Sequence, residues 1–109
     1  MSVRDLVRKR DGHRCQCCGI SVVDNPSSLH HRKLRSQGGQ DTADNLIRLC
    51  GTGTLGCHAW IHANPAAARS QGFIVWRIDN PAEVPVETFQ GWRYLLDDGT
   101  WISAIPGVA

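Results

Sequence analysis

Apolar residues in the first ten positions recur at helical spacing. Val3, Leu6 and Val7 share one face while Arg4, Arg8 and Lys9 lie off it, so residues 3–10 are predicted as a short amphipathic helix closed by Asp11-Gly12. A knuckle-like run follows, Cys15-Gln16-Cys17-Cys18-Gly19, with a glycine suited to a tight turn after the last thiol. Asp24-Asn25-Pro26-Ser27-Ser28 makes residues 22–28 a turn-rich linker. Short strands are expected at Ser28–His31 and Leu46–Leu49, joined by a polar loop containing Gly38-Gly39. Cys57 to Ala63 reads as a helix stopped by Asn64-Pro65. The proline can open a second short helix through Ala66-Ala67-Ala68 towards Gly72.

From Gly72 the texture changes. Phe73–Ile78 and Trp92–Leu96 read as strands, and Asp97-Asp98-Gly99 makes a hairpin turn into Thr100-Trp101-Ile102. There are no internal repeats. The expected organisation is therefore 1–71 as one unit and 72–109 as a C-terminal β extension. The extension holds no histidine or cysteine, so it is expected to pack rather than to do chemistry. Its tryptophans, Trp76, Trp92 and Trp101, are assigned to core or edge cover in preference to a base-stacking platform.

Length and composition narrow the class. A chain of 109 residues is one domain or one compact unit with an appendage. No apolar run approaches the roughly 18 residues of a membrane span, and the N-terminus lacks an apolar signal core, so a cytoplasmic protein is expected. In a reducing compartment the five cysteines argue for metal ligation over disulfides. The net charge of +2 is uneven: residues 1–50 hold nine Lys/Arg against five acids (+4), and residues 51–109 hold three against five (−2). A polyanionic partner is expected on the N-terminal half.

Cys15 and Cys18 are separated by two residues, which lets both thiolates converge on one tetrahedral ion at about 2.3 Å. Cys50 and Cys57 form a second pair across Gly-Thr-Gly-Thr-Leu-Gly, a loop rich enough in glycine to fold back on itself. A four-thiolate structural zinc site follows, with Cys17 a spectator. A thioredoxin-like redox pair is the alternative, but it needs an α/β unit that this chain does not show. His58 and His62 are one helical turn apart and can grip one metal ion. His30 and His31, adjacent in a strand, point to opposite sides or splay at its end. His13 is assigned to the surface.

Taken in order, these residues resemble the HNH endonuclease family. The pattern comprises Cys15-x-x-Cys18, Leu29-His30-His31-Arg32, Gly38-Gly39, Asp44-Asn45-Leu46-Ile47-Arg48-Leu49-Cys50 and Cys57-His58-Ala59-Trp60-Ile61-His62, and it spans residues 3 to about 64. The resemblance implies an α+β fold with a ββα-metal nuclease centre supported by zinc knuckles. It implies His31 as general base, with His30, His58 and His62 holding one catalytic divalent ion (Mn²⁺, Mg²⁺, Ni²⁺ or Zn²⁺). Asn45 is expected to bond across the hairpin loop and orient His31. Arg32, Lys33, Arg35 and Arg48 are placed to contact DNA phosphates, which gives little sequence specificity.

Two departures stand out. His30 occupies a position where many relatives have aspartate, and three neutral imidazoles favour Mn²⁺, Ni²⁺ or Zn²⁺ over Mg²⁺. The six-residue gap between Cys50 and Cys57 also exceeds the usual two. The resemblance extends to small stand-alone phage and prophage proteins, which implies DNA as partner and an accessory role in genome packaging beside the terminase. The oligomeric state is left open. The competing reading is a non-catalytic zinc module that binds DNA or protein, which would have no use for four clustered histidines.

Overall fold

A computed structural model describes residues 1–104; the end of the expected extension, residues 105–109, lies outside the described residues. The fold is a small mixture of helix and sheet. Helix α1 spans Val3–Asp11. Ser2 caps it, accepting from the Asp5 N–H at 3.1 Å while Asp5 accepts from the Ser2 N–H at 3.4 Å, a reciprocal box that satisfies two free donors of the first turn. Strands β1 (Ser27–His31) and β2 (Leu46–Cys50) pair antiparallel from Ser27↔Cys50 to His31↔Leu46. Helix α2 (Gly56–Ala63) follows across a five-residue loop, 51–55, and α3 (Pro65–Ser70) continues beyond Asn64, with Pro65 in the first turn. Strands β3 (Val86–Thr88), β4 (Gly91–Leu95) and β5 (Trp101–Ser103) form a separate antiparallel sheet in chain order.

Strand β2 is covered on both faces. Ile47 and Leu49 enter an apolar cluster with Cys15, Val22, Ile61, Ala68, Phe73, Ile74, Val86 and Leu95, while Leu46 joins Val7 of α1, Ala43 and Leu29. Strand alternation sorts the pairs, with Ile47 and Leu49 on one face and Leu46 and Arg48 on the other. Helix α1 is fastened to the second face by a buried ion pair. Arg10 donates to Asp11 Oδ1 and Oδ2 at 2.8 and 3.1 Å, and to the Ala43 and Leu46 carbonyls at 2.6 Å each. Asp11 Oδ2 also accepts the Arg48 N–H at 2.9 Å. Both charges are thus removed from water with their hydrogen-bonding capacity used, the condition under which a buried pair is tolerated.

The strand expected at Phe73–Ile78 does not form. Phe73, Ile74 and Val75 are buried, but their backbone goes elsewhere: the Phe73 N–H donates to Ala68 O at 3.0 Å and the Val75 N–H to Arg32 O at 3.0 Å. The apolar run reflects burial beneath α3 and the hairpin, not a ladder. Trp76 and Ile78 face solvent, 55% and 88% exposed. Trp76 is therefore not a core residue; the Arg69 guanidinium lies 3.7 Å from its ring centroid, as Arg93 lies 3.6 Å from that of Trp101. The strand the sequence did not announce is β3, the three residues immediately following Pro85.

Candidate metal centres and active site

The four cysteines converge. One sulfur from each of Cys15, Cys18, Cys50 and Cys57 lies within 4.8 Å of the others. The Cys18–Cys50 separation is 3.8 Å, which is about the ligand–ligand distance of a tetrahedron with 2.3 Å bonds. The two pairs repeat one arrangement despite their different spacings: the Cys18 N–H donates to Cys15 Sγ at 3.5 Å, and the Cys57 N–H to Cys50 Sγ at 3.4 Å. Backbone N–H groups aimed at sulfur favour thiolate over thiol. For Cys15, burial pushes the thiol up, but the N–H groups of Cys18 and its neighbours outweigh this and hold it below its ordinary range.

The six-residue gap is accommodated inside the loop. Gly51 and Gly56 have φ of +88° and +71°, and the Thr52 N–H bonds to Leu55 O at 3.0 Å, closing residues 51–56 into a tight turn. A Cβ at Gly51 would lie 1.9 Å from the Leu55 oxygen, so glycine is required there. The cluster can hold a metal ion such as zinc. Cys17 stands outside it, half-buried against the core, and burial pushes its thiol up.

The second cluster joins the hairpin to α2. His30, His58 and His62 each offer one ring nitrogen within 4.8 Å of the others, and the Nε2 atoms of His58 and His62 are 3.1 Å apart. Two nitrogens bound to one ion at about 2.1 Å in adjacent positions would be separated by about 3.0–3.4 Å. His30 is fixed by its other nitrogen, since Nε2–H donates to the Phe73 carbonyl at 2.8 Å and leaves the Nδ1 lone pair as ligand. Burial lowers the His30 pKa to about 4, and burial followed by the His62 charge lowers that of His58. Neutral imidazoles are the form a metal needs. His58 Nδ1 is buried without a protein partner.

His31 does not join this trio. It sits on the opposite face of β1, where its Nε2–H donates to Asp41 Oδ1 at 2.6 Å. Asp41 also accepts from Arg35 Nη2 at 3.0 Å and lies 3.8 Å from Arg4 of α1. The hydrogen bond from His31, then that from Arg35, hold the Asp41 carboxyl below its usual range. Asn45, 1% exposed, spans the loop between the strands. Its Oδ1 accepts the Lys33 N–H at 2.7 Å, and its Nδ2 donates to the Lys33 and Gln40 carbonyls at 3.1 and 3.0 Å.

One of the expected DNA contacts, Arg32, is corrected. Arg32 is 0% exposed and donates to four carbonyls: Gly72 at 2.8 Å, Asp44 at 2.9 Å, Pro81 at 3.0 Å and Val84 at 2.6 Å. It ties the hairpin to the C-terminal third and cannot reach a phosphate. Burial depresses its pKa to about 9. Arg48 points to the α1 face, donating to Gly12 O at 2.9 Å and to Ser27 Oγ at 3.4 Å. Arg35 remains exposed and Lys33 half-exposed. Asp41 was not anticipated, because it lies ten residues from His31 in a loop whose path no pattern specifies.

Two metal-ligand clusters on a small α and β scaffold, one of thiolates and one of imidazoles beside a strand hairpin, define a class of metal-binding proteins. Residues 15–63 match the family model for HNH endonuclease, a family of metal-dependent nucleases that act on DNA. No curated protein and no solved structure matches the chain. No helix among the described residues is long and apolar enough to cross a membrane.

Proposed function

We propose that the protein is a metal-dependent DNA endonuclease that hydrolyses phosphodiester bonds with little sequence preference. The observation that carries this reading is the convergence of His30, His58 and His62 at ligand distance, from β1 and α2 together. In this reading β1, β2 and α2 form a ββα-metal centre, and Cys15, Cys18, Cys50 and Cys57 hold a structural zinc ion that fastens it. His30, His58 and His62 hold one divalent ion. When bound, that ion supplies positive charge at the scissile phosphate and the leaving 3′-oxygen.

The chain's own residues supply the rest. His31 accepts the proton from the attacking water as its oxygen bonds to phosphorus and the P–O3′ bond breaks. The 3′-oxygen takes a proton from solvent, leaving 5′-phosphate and 3′-hydroxyl ends. Asn45 holds the backbone at Lys33, two residues past His31, and so limits movement of the base. Lys33 and Arg35 meet flanking phosphates, which carry no sequence information.

Nicking of supercoiled plasmid across a titration of Mn²⁺ tests the proposal. Wild type should nick. His31→Ala should fold and bind DNA but lose about 10²–10⁴-fold in rate at every metal concentration, the usual worth of a general base. His58→Ala and His62→Ala should be partly restored by excess Mn²⁺, since they lack metal affinity rather than a base. No cleavage under any divalent ion would leave a non-catalytic zinc module, and cleavage that persists in excess chelator would refute the metal-dependent reading.

A further inference from the structure

Asp41 makes the shortest contact of any histidine in the described residues, 2.6 Å from its Oδ1 to Nε2 of His31. The carboxylate is itself held from two directions. Arg35 Nη2 donates to both oxygens at 3.2 and 3.0 Å, and Arg4 of α1 lies 3.8 Å from Oδ2. His31 is 16% exposed and Asp41 43%. Three cationic or donor groups therefore converge on one carboxylate at the edge of the hairpin, on the face of β1 opposite the histidine trio.

The chemistry of this contact selects a tautomer. An ionised carboxylate can only accept, so the proton of neutral His31 must be on Nε2. The basic lone pair is then on Nδ1. We infer that Asp41 is the positioning residue of the general base, holding His31 as its Nε2–H tautomer so that Nδ1 is the atom that takes the proton from water. This rests on the reading of His31 as the base. In the step, one proton moves from the attacking water to Nδ1. The resulting imidazolium keeps its Nε2–H on Asp41, whose negative charge stabilises it, and later returns the extra proton to solvent. Asp41 stays ionised throughout. Arg4 and Arg35 fix the carboxylate, and so tie the orientation of the base to α1.

A merely structural Asp41 would predict different results. Asp41 is an acid among residues that would face a polyanion, so removing it frees Arg4 and Arg35 and should leave DNA affinity unchanged or tighter. If it positions the base, the rate should fall all the same. The test uses the full chain with zinc and Mn²⁺, comparing wild type, Asp41→Ala, Asp41→Asn, Asp41→Glu and His31→Ala. Single-turnover cleavage of a duplex oligonucleotide is measured beside its binding constant, and ¹⁵N spectra of histidine-labelled protein report the His31 tautomer. Asp41→Ala and Asp41→Asn should lose about 10–100-fold in rate, the usual effect of an outer partner of a reacting group, with no loss of affinity. Asp41→Glu should recover part of the rate. Wild-type His31 should show a protonated Nε2 and a bare Nδ1, and Asp41→Asn, whose amide can also donate, should show a mixture.

Wild-type cleavage by Asp41→Ala, or a wild-type spectrum dominated by the Nδ1–H tautomer, overturns the inference. Wild-type cleavage by His31→Ala removes the underlying base assignment and the inference with it. That failure is told apart from the first two because it appears in a variant that keeps Asp41 intact.

Discussion

Replacing Arg32 by alanine separates a fold-holding cation from a DNA contact. The guanidinium is fully buried and its donors go to the carbonyls of Gly72, Asp44, Pro81 and Val84. Hydrogen bonds to a charged group are worth about 1.5–3 kcal/mol each, so four would sum to about 6–12 kcal/mol. That sum is an upper limit: alanine also escapes the cost of burying a charge, which the depressed pKa of about 9 registers, and water can enter the space to meet some carbonyls. Loss of one partner of a buried charged network typically costs about 3–5 kcal/mol. Against a total of about 5–15 kcal/mol for a domain this size, Arg32→Ala should lower Tm by about 10–25 °C. Arg32→Lys should be nearly as damaging, because an ammonium cannot match a planar fork. The assay is thermal unfolding by circular dichroism with zinc in fixed excess, paired with DNA binding at low temperature, where the variant is still folded. Unchanged Tm with a weaker, less salt-sensitive DNA complex would refute the reasoning and return Arg32 to the DNA interface.

Metal analysis of the purified protein should find about one tightly held zinc per chain, and Cys15→Ser or Cys57→Ser should unfold it, since a structural zinc supplies about 10 kcal/mol or more of folding free energy. Cys17→Ser, outside the cluster, should change stability by only about 1 kcal/mol; a stable zinc-free wild type would contradict the site. On the surface, Lys33→Ala and Arg35→Ala should each weaken binding to unrelated duplexes and flatten the salt dependence by about 0.9 per lost contact. Arg48→Ala, whose side chain is committed to Gly12 and Ser27, should leave that slope unaltered.

Much of the candidate site was legible because its signals are local. The two-residue spacing of Cys15 and Cys18, the one-turn spacing of His58 and His62, and Pro65 after Asn64 act within a few residues, where helix and knuckle geometry leaves few alternatives. Helix α1, β1, β2, α2 and α3 accordingly fall within a residue or two of where the pattern puts them. Alternation along β1 already implied that His30 and His31 face opposite ways. What each side chain meets there depended on packing. His30 found α2 and the Phe73 carbonyl; His31 found Asp41 across a ten-residue separation.

Tertiary structure also decided the fate of the positive charges. Composition counts arginines without regard to place, and the +4 half contains Arg10 and Arg32, whose charges are turned inward onto Asp11 and onto backbone carbonyls. A guanidinium beside a histidine-bearing strand reads as a phosphate ligand only while its surroundings are unknown, since the same five donors suit four carbonyls as well as a phosphate. The same limit explains Phe73–Ile78. Apolarity determined that Phe73, Ile74 and Val75 would be buried, but whether their amides join a ladder depended on which carbonyls lay opposite. Those belonged to α3 and Arg32, contacts set by where distant segments meet rather than by the residues themselves.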